Sequence, residues 1–198
     1  SLVGSEMCIR DSPCGEIPLC PYDSCRLLAI NLLSYVDKPF TKEASFNFEK
    51  FKQHVEKAMR MMDDIIDLEL EKVELIINKI AADPEDEDIR RVELELWKKI
   101  RTMARKGRRT GLGITAEGDM LAALGLRYGT PEATAFAVKV QKTLALEAYR
   151  ASVKMAAERG AFEIFDARKE EKNPMIGRIR EADPELYAEM VKHGRRNI

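Results

Sequence analysis

Apolar side chains recur at three- and four-residue steps through residues 47–80, which is the spacing of one face of an α-helix. Phe51, Val55 and Met59 lie on that face, and Asn47 suits the position before the first turn because its side chain can accept a backbone hydrogen bond. Methionine at this spacing is typical of core packing, since it adapts to irregular gaps. The pattern therefore predicts one long amphipathic helix.

Three further helices are predicted from their start and stop signals. Each begins with Asp or Thr followed by proline, which suit the capping and first helical positions, and each ends at a glycine. They cover 84–106 (after Asp83), 131–159 (after Thr130) and a last segment from Pro184 to Gly194. The first of them has an apolar stripe that is expected to face the core, formed by Ile89, Val92, Leu96, Trp97, Ile100 and Met103.

Two segments are candidates for strands. Residues 109–115 are short, apolar and rich in glycine, which predicts a buried strand followed by a turn and a short helix. Residues 25–36 are largely apolar, and their periodicity fits a helix or a strand. Gly111, Gly113 and Gly118 lack the spacing of a dinucleotide-binding or phosphate-binding glycine loop, so neither kind of site is expected.

A Gly-Arg-Arg motif occurs twice, at 107–109 and 194–196, each time after a predicted helix and before an apolar segment. Arginines near a helix C-terminus complement its dipole, and a contact with phosphate is the alternative. Two helix-to-strand junctions separated by helices are typical of repeated units in a parallel α/β barrel. Because the second strand would start only at its last arginine, residues 109–115 are expected to lie without a partner strand.

Composition describes a globular protein of 198 residues, with 45% hydrophobic and 34% charged residues. A formal net charge of −1 provides no overall field for nucleic acid or membrane, and no apolar run approaches the ~20 residues of a membrane span. The four cysteines, at 8, 14, 20 and 25, lack the spacing of a structural zinc site, and no metal site is expected. Reduced thiols in the cytoplasm are the expectation.

Residues 13–19, Pro-Cys-Gly-Glu-Ile-Pro-Leu, contain Cys14 in a specific setting. They resemble the Asn-Pro-Cys-Gly-Glu-x-Pro-Leu signature of ribonucleotide reductases, particularly the adenosylcobalamin-dependent class II enzymes. Further segments resemble the family in the same order, up to the last residue; only Glu117 stands where the family more often has an apolar residue. These segments are 24–32, 107–115, 118–125 and 194–198.

The resemblance implies thiyl-radical chemistry at a ribonucleotide, with a pair of thiols supplying two electrons. Cys14 is expected to be the catalytic residue here, as one of the reducing pair, whereas Cys20 and Cys25 are expected to be ordinary thiols. Without the resemblance, a lone cysteine is more simply a small buried side chain. The radical cysteine, the partner thiol, the phosphate loop and the allosteric site are expected outside the chain.

The implied fold is the ten-stranded α/β barrel of the ribonucleotide reductase and glycyl-radical type, of which this chain would show a mostly helical portion. The implied cofactor is adenosylcobalamin, held mostly outside this fragment. The implied partners are a ribonucleotide substrate, nucleotide effectors, a thioredoxin-type reductant and a second copy in a homodimer. Two alternatives stay open: a class I reductase large subunit, which shares the fold, and a non-catalytic helical interaction module.

Residues 1–12, Ser-Leu-Val-Gly-Ser-Glu-Met-Cys-Ile-Arg-Asp-Ser, resemble no part of the family and look like a translated sequencing adapter. They are therefore expected to be a non-native, unstructured leader, and Cys8 is not expected to be the radical cysteine. Residues 13–198 are expected to be a partial catalytic barrel domain that is inactive by itself.

Overall fold

The computed structural model describes residues 10–11 and 18–197, with side chains from Leu19 onward. Its first part consists of short strands, β1 (Arg10–Asp11), β2 (Pro18–Leu19), β3 (Arg26–Asn31), β4 (Val36–Asp37) and β5 (Ser45–Phe46), with a 3-10 turn at Leu32–Tyr35. The rest is helical apart from strand β6. These elements are α1 (Phe48–Ala81), α2 (Glu87–Gly107), β6 (Thr110–Thr115), α3 (Glu117–Ala123), α4 (Pro131–Arg159), α5 (Ala167–Glu170), α6 (Pro174–Ala182) and α7 (Pro184–His193).

The predicted strand at 109–115 is β6, and it does have a partner. It pairs with β3 in parallel, from Arg26 opposite Thr110 to Asn31 opposite Thr115. The expectation of an unpaired strand is therefore wrong, and the ambiguous segment 25–36 is resolved as a strand followed by a turn. The helices α1 and α2 lie between the two strands in the chain, as a parallel crossover requires.

The core lies on one side of this strand pair. Ile30 on β3 is buried, and Leu112 on β6 packs against the same cluster, which includes residues of α1 and α4. Aromatic rings fill its centre: Phe51 is fully buried, with its ring centroid 5.1 Å from that of Tyr35 and 5.4 Å from that of Phe46, both edge to face. The helices α1 and α4 are thus held together by a shared apolar core.

The capping predictions are confirmed for three of the four helices. The side chains of Asn47, Thr130 and Asp183 accept hydrogen bonds from the first-turn amides of α1, α4 and α7. The prediction for α2 is wrong, since this helix begins at Glu87 and its cap is Asp86, whose side chain accepts from the Asp88 amide. Asp83 lies in the loop before it.

The predicted core stripe of α2 is wrong in its first half, whereas Trp97, Ile100 and Met103 in its second half are half-buried. Ile89, Val92 and Leu96 are 53%, 60% and 42% exposed. The helix packs along α1 through a different side, which includes the ion pair of Arg101 with Glu74 at 2.7 Å. Periodicity identified the helix correctly, but it could not tell which side has a neighbour.

The leader is described only at Arg10 and Asp11. These residues pair in antiparallel fashion with Leu19 and Pro18, so for them the predicted absence of structure is wrong. Residues 1–9 and 12 lie outside the described residues, as does Cys14. Within the described part, no helix is both long and apolar enough to span a bilayer.

Candidate functional site

One face of the β3–β6 pair is open, and it is built from small residues. Leu27, on the side opposite the core, is 64% exposed. A Cβ atom added at Gly111 would lie 2.6 Å from Leu27 Cδ2 and 2.8 Å from Cys25 Sγ, so a larger residue would require these two side chains to move. One Cβ added at Gly113 would meet nothing within 4 Å. The open face therefore has a thiol at its edge and free space beside it.

The two described cysteines are both half-buried thiols at the start of this strand pair. Cys25 directly precedes β3, and Cys20 Sγ lies 3.9 Å from Nη2 of Arg109. The Arg109 guanidinium also donates to the buried carboxylate of Asp23 at 2.7 Å. Cys25, in the family-like segment 24–32, lies beside Gly111, and the expectation that Cys20 and Cys25 are ordinary thiols stays a prediction.

Cys14, the predicted catalytic residue, lies outside the described residues, and its role stays a prediction. After Cys14, the next described residues are Pro18 and Leu19 of β2, and β3 begins seven residues after Leu19, at Arg26. The described residues that follow Cys14 therefore lead into β3, one of the two strands that form the open face.

The start of each strand is tied to a carboxylate on α1. Arg26, the first residue of β3, donates from Nε and Nη2 to the two oxygens of Glu69, both at 2.6 Å. Arg108, just before β6, donates from Nε to Asp63 at 2.8 Å. Paired hydrogen bonds between guanidinium and carboxylate fix direction as well as distance. These contacts hold the strand pair in a defined position on α1.

Asp63 is the centre of a buried ionic cluster that the sequence analysis missed. Its side chain is fully buried and also receives Arg159 at 3.0 Å, Arg196 at 3.2 Å and the amide of Asn197 at 2.9 Å. Burial alone would raise the pKa of Asp63, but hydrogen bonds from Asn197 and Arg108 and the charges of Arg108 and Arg196 hold it below its usual value. The sequence could have indicated this cluster, because Asp63 is an aspartate on the apolar side of a predicted helix.

The two Gly-Arg-Arg motifs meet at this cluster. Arg108 and Arg196 both bind Asp63, while Arg109 binds Asp23 and Arg195 binds Glu170 at 2.7 Å. All four arginines are therefore paired with carboxylates, which supports a structural role over a contact with phosphate. The left-handed backbone turn is at Arg108, with φ 44°, rather than at the glycine before it. Its two carboxylate partners, Asp63 and Asp67, offset that strain.

Three carboxylates in this region, of Asp63, Asp64 and Asp67, have oxygen atoms within 4.8 Å of one another. Arginines already occupy them: Arg159 binds Asp64 at 2.9 Å, and Arg108 binds Asp67 at 2.8 Å. The negative charge is thus compensated by guanidinium groups, and the chemistry of the cluster is that of an ion-pair network rather than a metal centre.

Comparison with known proteins agrees with the resemblance. Residues 6–198 match the family model described as ribonucleotide reductase, barrel domain. The vitamin B12-dependent ribonucleoside-diphosphate reductases of two Mycobacterium tuberculosis strains are each 30% identical over 154 residues, which is 78% of this chain and 18% of theirs. The enzyme of the same name from Thermoplasma acidophilum is 34% identical over 151 residues, 76% of this chain and 16% of its own.

This chain thus spans less than a fifth of the length of these relatives. The family match begins at residue 6, within the segment predicted to be a leader. The matched region includes the parallel strand pair, its ionic cluster and the long helices that cover it. The chain belongs to the ribonucleotide reductase family and carries part of its barrel domain.

Proposed function

We propose that this chain is part of a cobalamin-dependent ribonucleotide reductase of class II. The observation that carries the proposal is the match over 78% of the chain to reductases named as vitamin B12-dependent, which favours class II over a class I large subunit. The thiol beside the open face of β3 and β6 supports it. The cofactor is adenosylcobalamin, which supplies the radical, and we assign none of the described residues to its binding.

The reaction removes one hydroxyl group from the sugar. A thiyl radical takes the 3′ hydrogen atom of the ribonucleotide, and the 2′ hydroxyl leaves as water. Two thiols supply two electrons and two protons and become a disulfide, after which the 3′ hydrogen returns and restores the thiyl radical. A thioredoxin-type reductant then reduces the disulfide for the next turnover.

Cys14 is the residue of this chain that we assign to the chemistry. In the sequence, Cys14 stands between Pro13, a residue type that restricts the backbone, and Gly15, which has no side chain. Cys25 has the better-defined surroundings among the described thiols, because Gly111 makes room for its sulfur. Cys20 lies outside the family-like segments, contacts Arg109 through its sulfur and serves as the matched control.

The experiment replaces each cysteine by serine in the full-length enzyme and measures multiple turnover with an external dithiol. Cys14→Ser is expected to abolish turnover, and Cys20→Ser is expected to retain most of it. Multiple turnover by the Cys14→Ser enzyme would exclude the assignment. Loss in Cys25→Ser as well would mean that both thiols take part, whereas loss in Cys25→Ser alone would move the role to that residue.

The proposed parent fold is the ten-stranded α/β barrel, with β3 and β6 as two of its strands. In the complete cytoplasmic enzyme, nucleotide effectors and a second copy of the chain complete the assembly. The fragment itself is proposed to reduce no nucleotide, since it lacks most of the barrel. Residues 1–12 are proposed to be non-native; a clean sequence of the source gene tests this, and finding all twelve codons there would refute it.

A further inference from the structure

The loop at 20–24 leads from the segment that carries Cys14 to β3, and it is held by a buried ion pair. Arg109, the residue before β6, donates from Nε to Oδ2 of Asp23 at 2.7 Å. The side chains of Arg109 and Asp23 are only 9% and 1% exposed. Hydrogen bonds between ionised groups are short and strong. The loop that precedes β3 is therefore fixed to the start of β6.

The loop contains a strained turn that this ion pair stabilises. The backbone N–H of Asp23 donates to the carbonyl oxygen of Cys20 at 3.1 Å, and Tyr22 between them has φ 63°. A left-handed backbone is unfavourable for a side chain as large as tyrosine, and it persists only where neighbouring contacts hold it. Asp23 supplies such contacts, because its carboxylate accepts from the Ser24 amide at 2.9 Å as well as from Arg109. The turn is thus expected to relax when this carboxylate loses its charge.

Arg109 differs in its task from the other arginines at the strand starts. Arg26 and Arg108 bind carboxylates of α1, which already fixes both strands on that helix. Arg109 is not part of that attachment, because its carboxylate partner lies in the loop. Its guanidinium also reaches the loop at a second point, with Nη2 3.9 Å from Cys20 Sγ. Arg109 therefore determines where the loop lies relative to β6.

The loop stands between two thiols in the sequence, since Cys14 precedes its first residue by six positions and Cys25 follows its last. A reacting group that is displaced by about 1 Å can lose roughly 100-fold in rate. We propose that Asp23 and Arg109 are positioning residues of the reductase, whose ion pair holds the loop so that the Cys14 thiol keeps the place that the reaction requires. This inference rests on the proposed function, because it needs Cys14 to react.

The test is a single turnover of the full-length enzyme at saturating ribonucleoside diphosphate, with adenosylcobalamin, after reduction of its thiols and without an external reductant. The amplitude of product formation counts the folded, reduced molecules, whereas the rate constant reports the geometry of the site. In Asp23→Asn the rate constant is expected to fall roughly ten-fold or more while the amplitude is retained. Glu170→Gln is the matched control, because it removes the charge from another largely buried pair, that of Glu170 with Arg195, and it should leave the rate constant unchanged.

A double variant tests whether the two residues act as a pair. Asp23→Asn combined with Arg109→Gln is expected to lower the rate constant no further than either change alone, because one interaction can be lost only once. Additive losses, an unchanged rate constant in Asp23→Asn, a loss of amplitude alone, or an equal fall in Glu170→Gln would overturn the inference. Product formation of full amplitude by Cys14→Ser would instead refute the proposed function, so the two failures are distinguishable.

Discussion

At the scale of single residues, the most connected group is Asp63, which the sequence did not single out. Four side chains bind its carboxylate, those of Arg108, Arg159, Arg196 and Asn197. Its carboxylate is fully buried and is bonded to Arg108, whose side chain is 5% exposed. A buried ion pair contributes little net stability against an apolar alternative, but removal of one partner leaves the other charge uncompensated. The arrangement therefore makes the aspartate side chain essential once the arginines are in place.

Asp63→Asn is expected to lower the free energy of unfolding by about 3–5 kcal/mol, as breaking a buried ion pair does. The control is Asp64→Asn, because Asp64 also binds Arg159 but its side chain is 54% exposed, and a cost below about 1 kcal/mol is expected there. Urea unfolding of the chain measures both. Equal losses in the two variants would show that burial of Asp63 is not the cause.

Gly111 is the other residue whose identity follows from geometry. Gly111→Ala would bring a methyl group against Cys25 Sγ and the end of Leu27, both of which can rotate away. We expect a loss of stability within about 1 kcal/mol together with a change of at least ~2-fold in the alkylation rate of the Cys25 thiol, since that rate follows its exposure. Gly113→Ala, which has open space, should leave the rate unchanged, and an unchanged rate in both variants would contradict the packing.

At the scale of elements, the features that depend on neighbouring residues were predicted correctly, such as the ranges of α1 and α4. The features that depend on distant parts of the chain, such as strand pairing, were not. The ranges of α1 and α4 followed from apolar spacing and from caps at Asn47 and Thr130, which act within one turn. The partner of β6 could not be predicted, because β3 has only six residues and a short apolar run fits a helix as well as a strand. Which side of α2 is covered depends on α1, and no local pattern contains that information.

The start of α2 offers a direct test of the corrected cap. Asp86→Ala should lower the free energy of unfolding by about 1 kcal/mol, because it removes the acceptor for the Asp88 amide. Asp83→Ala is the matched control in the preceding loop, where the carboxylate accepts only a 3.2 Å bond from the Glu85 amide. A larger loss for Asp83 than for Asp86 would restore the earlier helix start that the sequence favoured. Thermal or urea unfolding distinguishes the two.

At the scale of the whole molecule, the site was predictable only where the family resemblance reached. The twin Gly-Arg-Arg motifs indicated repeated junctions, but their convergence on Asp63 could not be read from the chain. The residues involved are separated by 45 positions for Arg108 and 133 for Arg196. Spacing along the sequence carries no signal for a contact of that range, because it arises only when several helices have packed.

Acid sensitivity is a property of the molecule as a whole. The pKa values of Asp63, Asp183, Glu158 and Asp166 are all lowered; burial opposes this at Asp63, while hydrogen bonds lead it at the other three. A carboxyl group whose pKa is lower in the folded than in the unfolded chain stabilises the fold at any pH above its unfolded pKa, which is 3.8 for aspartate. This stabilisation is lost as the pH falls through the folded pKa.

The free energy of unfolding is therefore expected to be level near neutral pH and to fall steadily below about pH 4, where the unfolded chain takes up protons first. Urea titrations at a series of pH values measure this, and Asp63→Asn should reduce the slope below pH 4. Stability that stays constant down to pH 2 would contradict the direction of these shifts.

The reach of the Asp63 cluster also bears on the order in which the chain folds. Its last two partners, Arg196 and Asn197, follow it by 133 and 134 residues, and closing so long a loop delays their arrival. During synthesis α1 and α4 leave the ribosome before these residues do. Until they do, Arg108 and Arg159 are the arginine partners that the carboxylate of Asp63 can have. We therefore expect the Asp63 cluster to be completed late, after the helices α1 and α4 have been synthesised.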